Sequence, residues 1–339
     1  MAKTKNKKLI LHIGRHKTGT TSLQTFLFQN RDALKRQGVL YPVSGLRVAA
    51  HHWISEPLAR KKLKVTGALT HFIESPHWQQ LTDEIDQSPQ EVVLLSSEAF
   101  QNVEPEVLAG LFQGFDVEVI VYLRGQVDYL ASSYAQFIHA NQSGQSLDDY
   151  QSGFIQHANF LDFLSPWEAS FDNLHVSLFD KGYLYKSDVI VDFFYRLGLS
   201  IDSSFTPLSG DQNPSLSATV LAYKLWLNRQ VNVSPEVHRR LYNLLGDMSR
   251  EPDFSGKYQL DQQRSIDIYE CFKQSNAVVA EKYLGGFQIQ QPVEGRSLKC
   301  GSESAIDVSL IKKMSDRIAK EIPALSTIFS SLVMTECID

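Results

Sequence analysis

The first apolar run in the chain, Lys8 to Ile13 (KLILHI), ends at Gly14, as a buried strand running into a turn does. From Thr21 the period changes. Leu23, Phe26, Leu27 and Leu34 recur at helical spacing with polar residues between them. The opening unit is therefore strand, glycine-containing turn, helix. It returns twice. Glu91 to Leu95 (EVVLL) closes on Ser96, Ser97 and Glu98. Val117 to Leu123 (VEVIVYL) closes on Arg124 and leads into a helix with Val127, Leu130, Tyr134, Phe137 and Ile138 on one face. Asn173 to Leu178 (NLHVSL) reads as a fourth strand, followed by a helix from Val189 to Leu197 closed by Gly198.

Apolar strands alternating with amphipathic helices predict an α/β fold, a parallel sheet covered by helices on both faces. Ligands bind such sheets at the carboxyl ends of the strands. That rule singles out the turns after Ile13, Leu95 and Leu123. The later sequence is mostly helical in pattern, with helices expected at Ser217–Arg229, Pro235–Asp247, Asp261–Leu284 and Asp307–Glu321. No repeat or long linker sets this part off. The expectation is a single domain over residues 1–339, with a basic tail at 1–8, an α/β core at 9–200 and a largely helical part at 201–339.

Composition narrows the classes. Across 339 residues, 43% hydrophobic and 21% charged content allows a full core. A net charge of −5 argues against a protein that grips nucleic acid by its phosphates, yet permits a local basic pocket. Cys271, Cys300 and Cys337 lie far apart and form no CxxC or Cys/His spacing, so reduced thiols and no metal site are expected. The basic start MAKTKNKK is followed only by the short run to Ile13, too brief for a signal-peptide core or a membrane span. A soluble, cytoplasmic protein is expected, with the start a solvated tail or a weak contact for an anionic membrane surface.

The densest chemistry lies at Gly14 to Ser22, GRHKTGTTS, between the first strand and helix. Backbone amides in such a turn, added to the positive end of a helix, bind phosphate or sulfate. Gly14 and Gly19 have the spacing of the nucleotide-kinase loop G-x-x-x-x-G-K-[ST], but Thr20 stands where the lysine belongs and the lysine has moved to Lys17. The nucleotide-kinase loop uses its lysine on β/γ-phosphates and its Ser/Thr on magnesium.

KTGTT after a first strand resembles the 5′-phosphosulfate loop of the sulfotransferase family, and HKTGTTSLQ resembles its bacterial members. The resemblance implies 3′-phosphoadenosine 5′-phosphosulfate (PAPS) as donor, without a metal. It places Lys17 on the bridging oxygen and sulfuryl group, and Thr18, Gly19, Thr20 and Thr21 around the 5′-phosphate. Arg15, His16 and Ser22 complete the candidate donor-binding loop. It also implies that Arg124 and Ser132, eight positions on, bind the 3′-phosphate, with Ser133 as a neighbour able to substitute. An arginine fork gives a phosphate dianion two directed, charge-assisted hydrogen bonds.

The acceptor oxygen needs a group within hydrogen-bond reach to take its proton. Family members acting on small phenols and steroids end the relevant strand in histidine, and this chain has Glu98 there, as carbohydrate and protein-tyrosine members do. The rival is His52, or His51, in VAAHHWIS. His52 is the better candidate for touching the acceptor. His71, His77, His139 and His157 read as surface or core residues.

The resemblance thins along the chain. Ser22 replaces the tryptophan that usually follows GTT, and no RKGxxGDW loop occurs. By chain order the equivalent stretch is Asp211 to Ser217, with Asn213 and Ser215, for which a turn before a serine-capped helix is the favoured reading, and Gly295 to Gly301, with Arg296 and Lys299, is a weaker second candidate. A glycan or glycolipid acceptor is the expectation. The competing classes are a P-loop nucleotide kinase or NTPase and a non-catalytic glycan- or anion-binding protein.

Overall fold

The computed structural model describes residues 7–209, 216–289 and 308–330. Five strands form one sheet: β1 (Lys8–His12), β2 (Val39–Leu40), β3 (Val92–Ser96), β4 (Asp116–Leu123) and β5 (Asn173–Leu178). Their order is β2-β3-β1-β4-β5 and every pairing is parallel. The α/β sheet expected from the alternating pattern is present. Four of its strands lie within a residue of the runs that predict them. β2, two residues long, carries no readable pattern.

Alternation along the strands divides the core. Leu9, Leu11, Val93, Leu95, Val119 and Val121 pack with Trp78, Leu81 and Trp167. Ile10, Leu94, Ile120 and Tyr122 turn to the opposite face and meet Leu23, Phe26, Leu27 and Phe193. Both faces are therefore dry, which is why these strands are apolar throughout.

The helix expected from Thr21 to Leu34 is broken into α1 (Thr20–Gln29) and α2 (Arg31–Arg36). Asn30 makes the break. Its Nδ2 donates to Phe26 O at 2.9 Å and to Thr206 O at 3.0 Å, and its Oδ1 accepts from Thr206 N at 2.7 Å. The helix Val189–Arg196 is tied to the sheet by Asp192, whose Oδ2 accepts from Tyr122 at 2.7 Å and from Arg196 Nε at 2.6 Å.

The chain divides into two compact units. The first holds Met1–Gly125, Asn159–Gln212 and Phe272–Ile289, and the second holds Gln126–Ala158, Asn213–Cys271 and Gln290–Asp339. The sheet and its two core layers belong to the first. The second is helical, and its core gathers Ile138, Val220, Tyr223, Leu245, Met314 and Ile318. Within it Lys224 is buried, bonded to Asn228, and desolvation lowers its pKa to about 8. Helices expected late in the chain are found at Ala218–Gln230, Pro235–Met248, Gln262–Tyr283 and Val308–Glu321. No helix among the described residues is long and apolar enough to cross a membrane.

Leu11 is fully buried in the central strand, whereas Val65 is 67% exposed. Leu11→Ala is expected to destabilise the protein by ~2–5 kcal/mol, and Val65→Ala by less than ~0.5 kcal/mol. Urea unfolding followed by circular dichroism checks both.

Candidate active site

β1 is flanked by β3 and β4, and the chain order reverses around it, the position at which parallel sheets place ligands. The loop leaving β1 is shaped by two glycines. Gly14 has φ +22°, and a Cβ there would lie 2.6 Å from Thr20 Cγ2 and 3.5 Å from Glu98 Cα. Gly19 has φ +75°, and its Cβ would lie 2.8 Å from the Phe179 ring. Between them Lys17 adopts φ 68°, a left-handed conformation that costs a side-chain-bearing residue ~1–2 kcal/mol. Thr18 is buried and its Oγ1 donates to Arg15 O at 2.6 Å, closing the loop on itself.

Gly19 is the N-cap of α1 and supplies no side-chain cap, and the first turn holds no acidic residue. Asn159 and Asp188 show the contrast, each accepting from two amides at the start of its helix. The amides opening α1 thus keep the partial positive charge that attracts anions. Thr20 is buried, and Thr21 and His16 are exposed. Arg15 is buried, with its guanidinium over the Phe163 ring at 4.4 Å and the Phe160 ring at 5.7 Å. The aromatic faces satisfy part of its charge.

Arg124 follows β4, and its Nη1 donates to Lys17 O at 2.9 Å. Two residues 107 positions apart in the chain are therefore joined at the loop. Lys17 is held below the usual lysine range, first by desolvation and then by the Arg124 cation.

Glu98 opens the short helical turn Glu98–Asn102 just after β3. Gln24 Nε2, from buried α1, donates to its Oε2 at 3.0 Å. His52 Nε2 lies 3.6 Å from its Oε1. Desolvation pushes the Glu98 carboxyl up, but the Gln24 bond, its own backbone amide, His52 and His16 together hold it below the ordinary carboxylate range. It is an ionised carboxylate at neutral pH.

The two histidines of HHW have different fates. His51 is fully buried: its Nδ1 accepts from Ser96 N at 3.1 Å, so the proton sits on Nε2, which donates to Pro42 O at 3.1 Å. His51 is a strut. His52 opens α3 (His52–Ser55) and is only partly buried. Its Nδ1 bonds Ser97 Oγ at 3.0 Å, and Ser97 Oγ bonds Ser55 Oγ at 2.8 Å. Glu98 and His52, rivals in the sequence, stand side by side.

Three neighbours carried no signal of their own: Gln24 inside an amphipathic helix, Ser97 at a strand end, and His12 within the apolar run of β1. His12 Nδ1 bonds Ser96 Oγ at 2.8 Å, and its ring lies 5.4 Å from that of Phe193. Ser132 belongs to the second unit, where its Oγ donates to Tyr129 O at 3.2 Å, and Ser133 Oγ donates to Leu130 O at 3.1 Å. His77 stacks on Trp53 and His139 on Tyr242, while His71 and His157 are exposed. Asn213, Ser215, Arg296 and Lys299 lie outside the described residues. Among the described residues no cluster of His, Cys, Asp or Glu is placed to hold a metal ion.

Fold and loop together define an α/β protein whose central strand runs into a glycine-shaped turn at the start of a helix. No family model matches the chain. An uncharacterized protein of Archaeoglobus fulgidus is 25% identical over 198 residues, which is 57% of this chain and 54% of that protein. The chain thus spans about half the length of this curated relative. Among solved structures, a sulfotransferase from Alicyclobacillus acidocaldarius aligns over 64% of this chain and 88% of its own, with 18% identity and a TM-score of 0.40. A chain from the PezAT chromosomal toxin-antitoxin system of Streptococcus pneumoniae aligns over 66% and 85%, with 14% identity and a TM-score of 0.26. Neither superposition bears on the chemistry, which rests on the chain's own residues.

Two measurements check these electrostatics. Desolvation lowers the pKa of His12 and of His51 from 6.5 to about 4. Between those values the unfolded chain binds more protons than the folded one, so stability is complete above about pH 6.5 and declines towards pH 4. The loss is of the order of 3 kcal/mol per histidine. Urea midpoints should be lower at pH 5 than at pH 7, and His12→Asn should shrink the difference. Gln24→Leu removes a hydrogen bond to the charged form of Glu98, so the Glu98 pKa should rise, which a ¹³C carboxyl titration reads directly.

Proposed function

We infer that the protein transfers a sulfuryl group from PAPS to a hydroxyl of a carbohydrate or glycolipid. The observation that carries this reading is the placement of Lys17 in GRHKTGTTS, its carbonyl held by Arg124, with Glu98 beside Gly14 on the adjoining strand end. The loop amides from Thr18 to Thr21 suit a 5′-phosphate at the start of α1. The Arg124 fork suits the 3′-phosphate that separates this donor from ADP.

Sulfuryl transfer follows the logic of phosphoryl transfer, in-line displacement in which positioning and charge stabilisation dominate. In the proposed step the acceptor oxygen forms a bond to sulfur while its proton passes to the Glu98 carboxylate. The bond from sulfur to the bridging oxygen breaks, and 3′,5′-ADP leaves with the electron pair. The Lys17 ammonium meets the charge developing on that oxygen. The proposed step uses no metal. His52, beside Glu98, contacts the acceptor.

A thermal shift assay tests the reading. At 100 times its dissociation constant, 3′,5′-ADP adds ~2.7 kcal/mol and should raise Tm without magnesium. ADP, lacking the 3′-phosphate, should act far less. Equal shifts from the two nucleotides sink the 3′-phosphate assignment, and a shift confined to magnesium–ATP points to a nucleotide kinase. Glu98→Gln should bind 3′,5′-ADP normally and lose ~10²–10⁴ in turnover. Lys17→Gly suits the left-handed backbone, so it too should keep nucleotide binding while losing turnover. Normal turnover in either variant removes that residue from the reacting centre.

A further inference from the structure

Residues 57–73 contain Arg60, Lys61, Lys62 and Lys64 and no Asp or Glu, in a chain of net charge −5. Two short helices, Arg60–Leu63 and Ala68–Ile73, build this surface of the first unit. Leu58 and Phe72 anchor it in the core beneath, and Arg60 Nε pairs with Glu104 at 2.7 Å. Lys61, Lys62 and Lys64 are exposed and have no ion-pair partner among the described residues. Val65, Leu69 and Ile73 are 67%, 38% and 40% exposed. Val65 lies in the turn between the two helices, and Leu69 and Ile73 share one face of theirs.

Single exposed apolar side chains are ordinary. Two on one helix face and a third in the turn before it, beside three exposed lysines on an otherwise acidic protein, form an amphipathic surface. We propose that this face docks on an anionic lipid bilayer. Val65, Leu69 and Ile73 enter the interfacial layer, and the three ammonium groups sit among lipid phosphates and carboxylates. The match is one of charge: each lysine near an anionic leaflet strengthens binding about fivefold. A stable protein interface buries ~800 Å² on each partner, more than three apolar side chains supply. α3, which carries His52, runs directly into this stretch.

Co-sedimentation of the full chain with phosphatidylcholine vesicles, with and without phosphatidylserine, tests the proposal. Binding is expected only with phosphatidylserine, and it should weaken with salt as the Debye length contracts from ~10 Å at 0.1 M to ~3 Å at 1 M. Lys61→Glu/Lys62→Glu/Lys64→Glu should lower the partition coefficient by about 100-fold or more. Leu69→Ser/Ile73→Ser should lower it at least about tenfold while Tm stays unchanged. The basic start of the chain is present in every variant, so these losses belong to the face itself. Absence of binding, equal binding to phosphatidylcholine alone, or indifference to the lysine variant overturns the proposal. So does a Leu69→Ser/Ile73→Ser protein that keeps vesicle binding and releases it to soluble heparin, which assigns the face to a polyanion. A dimer that this variant dissociates in sedimentation velocity gives the face to a second copy and equally overturns it.

Discussion

Hydrogen bonding of β1 on both edges, in parallel register, determines where the chemistry can gather. His12 pairs with Ser96 of β3 and with Ile120 of β4, so β1 and β3 end level with each other. The residues that leave those strands, Gly14 and Glu98, emerge side by side. β4 runs on to Leu123, which sets Arg124 high enough to reach over the loop and bond the carbonyl of Lys17. None of these residues is brought together by its own preferences. The ladder does it, and the apolar packing on both faces of the sheet keeps the ladder dry and fixed.

The site sorts its ionisable groups by solvent. His12 and His51 lie beneath the strand ends, where burial makes the imidazolium costly and both stay neutral. Glu98 sits one layer higher, partly buried, and receives enough donors to remain charged. Lys17 lies in the loop above, its charge opposed by desolvation and by Arg124. A neutral floor, a carboxylate and a strained cation thus succeed one another within a few residues of the sheet edge.

Legibility in the sequence followed the range of the interactions. GRHKTGTTS was readable because its determinants, two glycines, a lysine and a helix start, are contiguous. The long strands were readable because burial on both faces leaves unbroken apolar runs. β2 was not, since two residues have no period. The break between α1 and α2 was hidden because the partner of Asn30 is Thr206, 176 residues away. Choosing between His51 and His52 needed Ser96, Ser97 and Pro42, which the fold supplies and the local sequence does not. Gln24 escaped notice for the same reason, as a polar position in an amphipathic helix whose partner is Glu98.

The bond from Arg124 to the Lys17 carbonyl makes the arginine part of the loop's frame. Its guanidinium is oriented before any ligand arrives, and the lysine it steadies is one whose backbone would otherwise relax. The two positions are therefore not independent during divergence. A lineage that lost the arginine would also loosen the loop and remove the reason to tolerate lysine in a left-handed conformation. Drift at one site then opens the other, and descendants are expected to keep the pair or abandon both.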